Sequence, residues 1–329
     1  MTHTKPRVLA FGNPEKGIAH HRIYSPLQHL ERNGEIEVRF VKKWQDKEAV
    51  DGFQWATHVI ASRLLAVPLS EIANVGLACR ASGKKLIIDV DDWWHLPVTH
   101  PQYALFAKQG GSRFAEESMK QATEVWTTSK ALAKKVKRYN KNIKIVPNGL
   151  DISQPQWQGH EKKYDSVRFG YIGAGFHGTD IEASGIDLSN YDGIVSDLEG
   201  EMYVEQMGAK DWFEWMPVTE YGNMYRQFNV SLIPLLVNDW TRCKSHLKLI
   251  EAGLTGTAAI VSPVGPYAQY ANDGINCLTA RNPKEWAEAI ERLDKNPTLA
   301  EELAHFLNRD MQDFTMDEVN KTRLQCLAN

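Results

Sequence analysis

Short apolar runs alternate with segments of helical periodicity along the whole of this 329-residue chain, and this alternation constrains the fold more than any other feature. Turn-forming residues bound most of the apolar runs. Such an alternation is typical of parallel sheets built from strand–helix–strand units. Because the chain is longer than a usual single domain, we expect two sheets in two α/β domains.

The candidate strands divide into two groups of six. In the first half they span 8–11, 37–41, 58–61, 85–90, 124–127 and 144–146, with helices at 24–32, 70–81 and 130–139. In the second half the strands span 167–172, 193–196, 215–218, 230–234, 258–262 and 277–280, with helices at 220–228, 244–252, 283–293 and 299–307. The turn-rich segment 147–163 predicts a linker. We therefore expect domains at 1–155 and 156–310, and a helix at 311–329 whose return to the first domain stays open.

The composition fits a globular protein, with 43% hydrophobic and 24% charged residues. No apolar run approaches the roughly 20 residues that cross a bilayer, and the N-terminus lacks a signal-peptide core. We therefore expect a cytoplasmic protein. The four cysteines lack paired spacing, which argues against a disulfide framework and against a zinc site.

Charge is distributed unevenly between the two halves. Residues 1–155 contain 23 Lys and Arg against 15 Asp and Glu, whereas residues 156–329 contain 15 against 26. Seven cations and no acid lie in 129–144, among them Lys134, Lys137 and Arg138. Two interpretations remain open for this segment, a solvated helix face and a face that binds a polyanion.

A cluster of charged residues in 239–256 is the strongest candidate for a ligand site. Lys244, Lys248 and Glu251 recur at spacings of four and three, which predicts one face of a helix, and Ser245 lies beside them. Two cations and a carboxylate on one face suit a diphosphate and a ribose diol. The alternative is a surface helix with an ordinary Lys248–Glu251 ion pair.

A glycine-rich turn follows the strand predicted at 167–172. Gly173, Gly175 and Gly178 form a G-x-G-x-x-G pattern that encloses His177, and Asp197 follows at the spacing of a dinucleotide fingerprint. Glycines at such a turn let backbone N–H groups approach a phosphate. The glycine pattern is compatible with binding of any nucleotide diphosphate, and so also with an NAD(P)-dependent oxidoreductase.

Carboxylates and indoles end the apolar strand 85–90. Asp91 and Asp92 lie where parallel sheets keep their sites, and a carboxylate there could orient or deprotonate an acceptor hydroxyl. Trp93 and Trp94 suit stacking on a sugar or base. A single D-x-D element chelating a divalent ion, or a capped solvent-facing loop, are the alternatives.

The loop and helix start at 11–26 supply a further set of polar residues. Gly17 belongs to a glycine-bearing loop, and Arg22 could reach a phosphate. His20 and His21 are adjacent and point in different directions on a helix, so we expect no joint metal site.

Together these segments resemble the nucleotide-sugar glycosyltransferases of family 4. The resemblance covers most of the chain and includes the segments 127–133, 145–151, 170–173, 233–235, 244–251 and 265–267. It implies a GT-B fold, in which two Rossmann-like parallel-sheet domains face an interdomain cleft. The family has two glutamates eight positions apart, which contact the donor sugar and the ribose. Glu251 matches the second, whereas Cys243 occupies the first position.

The resemblance also implies an activity and a set of roles. We expect a retaining, metal-independent transferase of the hexosyl type that uses a nucleotide diphosphate sugar, UDP-glucose or a similar donor, and no other cofactor. Arg22, Lys244 and Lys248 would offset diphosphate charge, and Asp91 or Asp92 would meet the acceptor. The donor site would also be lined by Gly17, Gly173, Gly175, His177, Ser245, Gly265, Pro266 and Tyr267.

The short length and the pattern of His21, Arg22, Asp89, Asp91 and Trp94 are most similar to bacterial and phage members of this family. A basic first domain then predicts a polyanionic acceptor such as a hydroxymethylated pyrimidine in DNA, in the host cytoplasm for a phage protein. A polysaccharide or glycolipid acceptor is the alternative, and peripheral membrane contact stays open. The residues assigned to the acceptor are His20, His21, Trp93, Trp94, Lys134, Lys137 and Arg138.

Overall fold

A computed structural model describes residues 5–63, 65, 67–160, 166–174, 177–197 and 202–328. The chain forms two compact units. Unit 1 comprises Met1–Asp151, Cys243–Ser245 and Met316–Asn329, and unit 2 comprises Ile152–Arg242 and His246–Thr315. The three residues Cys243–Ser245 therefore belong with the first unit, although the chain on both sides of them builds the second.

A six-stranded parallel sheet forms the centre of unit 1. Its strands are β1 (Arg7–Phe11), β2 (Glu37–Val41), β3 (His58–Ser62), β4 (Lys85–Val90), β5 (Glu124–Thr127) and β6 (Ile143–Ile145). Their order in the sheet is β2-β1-β3-β4-β5-β6. Phe11 at the end of β1 pairs with Val41 of β2 and Ala61 of β3, so the carboxyl ends of these strands lie at one edge.

Helices of unit 1 separate successive strands. They are α1 (Gly17–Ala19), a π-helical turn (His20–Tyr24), α2 (Ser25–Arg32), α3 (Lys47–Trp55), α4 (Ile72–Ala81), α5 (Tyr103–Lys108), α6 (Gly111–Gln121) and α7 (Lys130–Val136), with a 3₁₀ turn at Leu69–Glu71. Helix α7 starts where the Ser129 side chain accepts a hydrogen bond from the N–H of Leu132 at 3.3 Å, a standard N-cap.

The C-terminal helix (Met316–Ala328) also belongs to unit 1. The Asn320 side chain donates to the carbonyl of Pro26 at 3.0 Å, and the guanidinium of Arg323 donates to Asn320 at the same distance. Arg323 is fully buried, and this burial, followed by the nearby charge of Arg22, lowers its pKa to about 9.

Unit 2 is built around a second six-stranded parallel sheet. Its strands are β7 (Arg168–Gly173), β8 (Asp192–Asp197), β9 (Asp211–Trp212), β10 (Val230–Ile233), β11 (Ala258–Val261) and β12 (Leu278–Thr279). The order β12-β11-β10-β7-β8-β9 is that of a dinucleotide-binding domain, with the topological switch point between β7 and β10. Ligands of such sheets bind at the carboxyl ends of the two strands that flank the switch point.

The helices of unit 2 lie between and after these strands along the chain. They are α8 (Gly178–Ser184), α9 (Met202–Met207), α10 (Leu247–Leu254), α11 (Tyr267–Tyr270), α12 (Pro283–Asp294) and α13 (Pro297–Met311), with 3₁₀ segments at Pro155–Trp157, Tyr221–Gln227, Thr241–Cys243 and Gln312–Phe314. Asn282 and Asn296 cap α12 and α13, and each helix begins with proline, which has no N–H to leave unsatisfied.

Three expected elements of the second half differ from the structure. The strand predicted at 215–218 is wrong, because the sheet pairing ends at Trp212 and Pro217 has no N–H to donate to a ladder. The helix predicted at 220–228 is a 3₁₀ helix. The helix predicted at 244–252 begins only at Leu247, since Cys243 packs into the hydrophobic core of unit 1.

No helix in the described ranges is both long and apolar enough to cross a membrane.

Candidate functional site

Asp91 lies directly beyond β4 and is paired with Arg63. The guanidinium of Arg63 donates to Asp91 Oδ1 at 2.7 Å, and both side chains are largely buried. Burial raises the pKa of Asp91, but the charge and hydrogen bond of Arg63, with the charge of Arg22, outweigh it, so the pKa is lowered. Asp91 is therefore held as a carboxylate.

Asp92 has a different electrostatic environment from its neighbour. Its carboxylate lies 4.0 Å from the ammonium of Lys244, and 24% of its side chain is exposed. Burial raises its pKa, Lys244 opposes this effect, and the negative charge of Asp91 adds to it, so the net shift is upward. Two adjacent carboxyl groups whose pKa values move apart are typical of a division between a charged group and a proton-handling group.

Arg22 and Asp89 form a buried ion pair beneath these residues. The guanidinium donates to both Asp89 oxygens at 2.8 and 2.9 Å and to Asn148 Oδ1 at 3.0 Å. Asn148 in turn donates to the hydroxyl of Ser245 at 2.8 Å. Arg22 is 2% exposed. The pair therefore holds the segment Cys243–Ser245 through Asn148 and presents little of the Arg22 guanidinium to solvent.

The residues of the first glycine-bearing loop have separate environments. His20 is buried, and its ring meets that of His21 edge-on at 5.3 Å. Burial, followed by the charges of His20 and Arg22, lowers the pKa of His21 to about 3, so its ring is neutral. Gly17 begins α1 and is exposed.

Of the two tryptophans after β4, only Trp93 is partly exposed. Trp94 is 1% exposed and belongs to the hydrophobic core of unit 1, which removes it from any face that could stack on a ligand. The ammonium of Lys135 lies 4.1 Å from the centroid of the Trp93 ring. Lys134, Lys137 and Arg138 are exposed at or beyond the end of α7.

Unit 2 contains a buried carboxylate at α10. Glu251 is 2% exposed, and the hydroxyl of Tyr225 donates to its Oε2 at 2.8 Å. Burial raises the pKa of Glu251 to about 7, against the opposing effects of Lys248 and of the Tyr225 hydrogen bond. A carboxyl group with this pKa gains or loses its proton near neutral pH. Carboxyl groups with such shifted pKa values are often found in functional sites.

Lys248 extends from α10 to the end of β7. Its ammonium donates to the carbonyl of Ile172 and lies 5.3 Å from the centroid of the Tyr171 ring. Ile172 directly precedes Gly173. The same helix therefore places a cation at the glycine turn and a carboxylate deeper in the unit.

The glycine turn itself is closely packed on the described side. A Cβ at Gly173 would lie 2.1 Å from the hydroxyl oxygen of Tyr171, so only glycine fits there without a rearrangement. Gly175 lies outside the described residues. His177 follows the turn, and its Nδ1 lies 2.7 Å from Asp180 Oδ2.

Asp180 on α8 links the start of that helix to the segment after β10. Its second oxygen accepts a hydrogen bond from the N–H of Leu236, beyond β10, at 2.7 Å. Both carboxylate oxygens of Asp180, the acid beside the glycine turn, therefore have partners, the N–H of Leu236 and the ring of His177.

Gly265 and Pro266 form a compact turn that leads into α11 at Tyr267. Gly265 has a φ of 57°, and a Cβ there would lie 2.6 Å from the carbonyl oxygen of Arg242. Pro266 and Tyr267 are buried. This turn therefore depends on glycine for both its backbone conformation and its close approach to the Arg242 backbone.

The predicted cluster of Lys244, Lys248 and Glu251 on one helix face is wrong in one member. Lys248 and Glu251 lie on α10, but Lys244 and Ser245 precede the helix and belong to unit 1. Cys243, at the position of the first glutamate of the resembled family, is 1% exposed and packs in the hydrophobic core of unit 1.

In the described part of the chain, no group of three or more His, Cys, Asp and Glu side chains could hold a metal ion. Two partners of the site residues were not predicted from the sequence, Arg63 beside Asp91 and Tyr225 beside Glu251. No motif marks either residue, since each reaches its partner only through the fold, 28 and 26 positions away.

No protein-family model and no curated protein matches the sequence. Solved structures do resemble the chain. Sucrose-phosphate synthase from Thermosynechococcus elongatus aligns with a TM-score of 0.66 and 14% identity over 98% of each chain. Anabaena HepE in complex with UDP and glucose aligns with a TM-score of 0.64 and 14% identity, over 98% of this chain and 100% of that chain. The apo form of the lipopolysaccharide outer core galactosyltransferase WaaB aligns with a TM-score of 0.60 and 14% identity, over 97% of this chain and 98% of that chain. These neighbours are GT-B glycosyltransferases, and the predicted α/β GT-B fold is confirmed.

Proposed function

We propose that this protein is a glycosyltransferase that uses a nucleotide diphosphate sugar, with UDP-glucose or a similar UDP-sugar as the donor. The observation that carries the proposal is the buried Glu251 on α10, held by Tyr225 and placed on the same helix as Lys248. A carboxylate and a cation near the switch point of a dinucleotide-type sheet suit a ribose diol and a diphosphate. The HepE structure contains UDP and glucose on the same fold, which supports this choice of donor.

The donor residues divide by chemistry within unit 2. The ionised Glu251 carboxylate accepts the ribose hydroxyls, and Lys248 balances the charge of the diphosphate beside Gly173. Gly173 lets the backbone approach the phosphates, and His177, Gly265, Pro266 and Tyr267 complete the donor pocket. No metal ion or second cofactor takes part in this scheme.

The transfer is retaining. The bond between the anomeric carbon and the diphosphate oxygen breaks, and the acceptor oxygen attacks from the same face, while the acceptor proton passes to the leaving diphosphate. Cations that offset the developing charge lower the barrier to this step. Lys248 has this role in unit 2.

Asp92 is the carboxyl group that meets the acceptor hydroxyl. Its upward-shifted pKa, its exposure and its neighbour Lys244 distinguish it from Asp91, whose charge is committed to Arg63. Arg22 acts as a positioning residue through Asp89 and Asn148, with His20 and His21 beside it.

A hydroxyl of a sugar or glycan is the acceptor that we favour. DNA is the second candidate, because Lys134, Lys137 and Arg138 are exposed on unit 1 and would bind its phosphates. The buried position of Trp94 and the Lys135 contact on Trp93 remove most of the support for a flipped base stacked on these indoles.

A panel of UDP-sugars, GDP-sugars, NAD and NADP tests the proposal by thermal shift, followed by release of the nucleotide from the donor that binds. We expect a UDP-sugar to raise the melting temperature of the wild type, and expect this shift to be lost in Lys248→Ala and Glu251→Ala. Glu288→Ala removes an exposed glutamate of α12 in the same unit and serves as the control. Undiminished shifts in both site variants, or a response to NAD or NADP alone, would rule out this donor site.

A further inference from the structure

A pocket lies at the topological switch point of unit 1. The order β2-β1-β3 places that switch point between β1 and β3. The pocket has a volume of about 360 Å³ and is formed by the carboxyl ends of three neighbouring strands, with Phe11 from β1, Lys42 after β2 and Ser62 from β3. Open α/β sheets bind ligands at this position.

The lining of the pocket is cationic. Lys16, Lys42 and Arg63 contribute three positive charges, and no acidic residue of the described ranges lines it. Arg63 shares its charge with Asp91 through Nη2. Lys16 and Lys42 have no ion-pair partner in the part of the chain that the structure describes, so their charges remain uncompensated at the pocket.

Arg63 has two further properties that are typical of a ligand site. Its φ of 49° places it in the left-handed region, where it is the only residue other than glycine among the described residues. Such a conformation is strained for a residue with a side chain and is concentrated at functional sites. Its Nε is buried and has no hydrogen-bond partner within the described ranges. A buried guanidinium N–H without an acceptor is a position that a ligand oxygen would satisfy.

We infer that this pocket binds an anionic substituent, a phosphate or carboxylate, on a small sugar acceptor. That the bound sugar is the acceptor rests on the proposed function. Arg63 contacts Asp91, and Asp91 is the neighbour of Asp92, the residue assigned to the acceptor hydroxyl. The volume suits a molecule of monosaccharide size. Two flexible ammonium groups and one guanidinium N–H match a compact anion with several acceptor oxygens.

Calorimetric titration without any nucleotide sugar tests the inference. The probes are glucose 6-phosphate, glucose, inorganic phosphate and a single-stranded oligonucleotide, all at one ionic strength. We expect glucose 6-phosphate to bind at least about tenfold more tightly than glucose, because charge-assisted hydrogen bonds are worth more than a decade in affinity. The Lys16→Gln/Lys42→Gln variant should lose about tenfold of this affinity.

Lys43→Gln is the matched control, because Lys43 is exposed, follows Lys42 directly and does not line the pocket. Lys16 and Lys42 are also exposed, so the variants should fold, and each single substitution is measured alongside the double variant. Equal binding of glucose and glucose 6-phosphate, no binding of either, or equal losses in the variant and the control would overturn the inference. Weakened binding of the oligonucleotide alone would also overturn it, in favour of DNA.

The outcome is separable from that of the proposed function. Anion binding without sugar transfer from any nucleotide sugar would leave the pocket assigned and the transferase proposal refuted. Transfer to uncharged sugars with no anion binding would support the transferase and refute the inference.

Discussion

The hydroxyl of Tyr225 donates a hydrogen bond to the carboxylate of Glu251 at 2.8 Å, in a site that is closed to solvent. This contact joins a 3₁₀ helix after β9 to α10. It stabilises the charged form of a group that burial otherwise drives toward protonation. Glu251 is consequently poised to change its charge near neutral pH.

Glu251 should therefore make unfolding free energy pH-dependent. Its pKa is about 7 in the folded protein and lies near the ordinary 4.5 when unfolded. The folded state binds the proton more tightly, so this contribution to stability is fully present below pH 4.5 and is lost as the pH rises through about 7. We expect wild type to lose up to about 3 kcal/mol relative to Glu251→Gln across this interval.

Urea unfolding of both proteins at several pH values measures the difference. Parallel pH profiles for wild type and Glu251→Gln would show that Glu251 titrates normally in the folded state. Donor affinity should move in the opposite direction and rise with pH, since the ionised carboxylate is the form that accepts ribose hydroxyls.

Asp91 and Asp92 should respond differently to the same substitution. Asp92→Asn removes the carboxylate that orients the acceptor hydroxyl and should lower kcat by about 100-fold or more with little change in melting temperature. Asp91→Asn leaves the largely buried Arg63 without its charged partner and should destabilise the fold by about 2 kcal/mol. Steady-state kinetics and thermal unfolding of the two variants separate these effects. A larger loss of kcat in Asp91→Asn than in Asp92→Asn would contradict the assignment.

Gly265→Ala should destabilise unit 2 through the backbone. Alanine at a φ of 57° is strained, and its Cβ would lie 2.6 Å from the carbonyl oxygen of Arg242, a backbone atom that cannot turn aside. We expect a loss of about 2 kcal/mol in unfolding free energy, and a weaker response to the donor in the thermal-shift panel. Gly274→Ala is the control, because Gly274 also has a positive φ of 71° but open space around it. Equal losses in both would show that the Arg242 contact has no effect.

Local patterns in the sequence were sufficient for the architecture. Buried strands such as Ala258–Val261 consist of continuous apolar residues, and this signal is present without any knowledge of the neighbouring strands. The strand predicted at 215–218 was wrong because an aromatic run with a proline satisfies the composition of a strand but not its hydrogen bonding. Lys248 and Glu251 were correctly placed on one helix, since a spacing of three residues is local.

The partners of the site residues could not be predicted in this way. Arg22 lies 67 positions from Asp89, and Asn148 lies 97 positions from Ser245, so both contacts depend on which strands become neighbours. The burial of Trp94 has the same origin, because an indole after a strand looks equally suited to a core and to a ligand.

The sequence by itself determined the two parallel sheets, the glycine turn at Gly173 and the helix that carries Lys248 and Glu251. Periodicity and turn-forming residues involve only a few neighbouring positions, and can therefore be recognised from the sequence alone. Only the tertiary structure decided that Lys244 leaves that helix for unit 1, that Arg22 is buried against Asp89 and that Arg63 turns toward a pocket. Each of these depends on desolvation and charge pairing between distant segments, which exist only once the chain has folded.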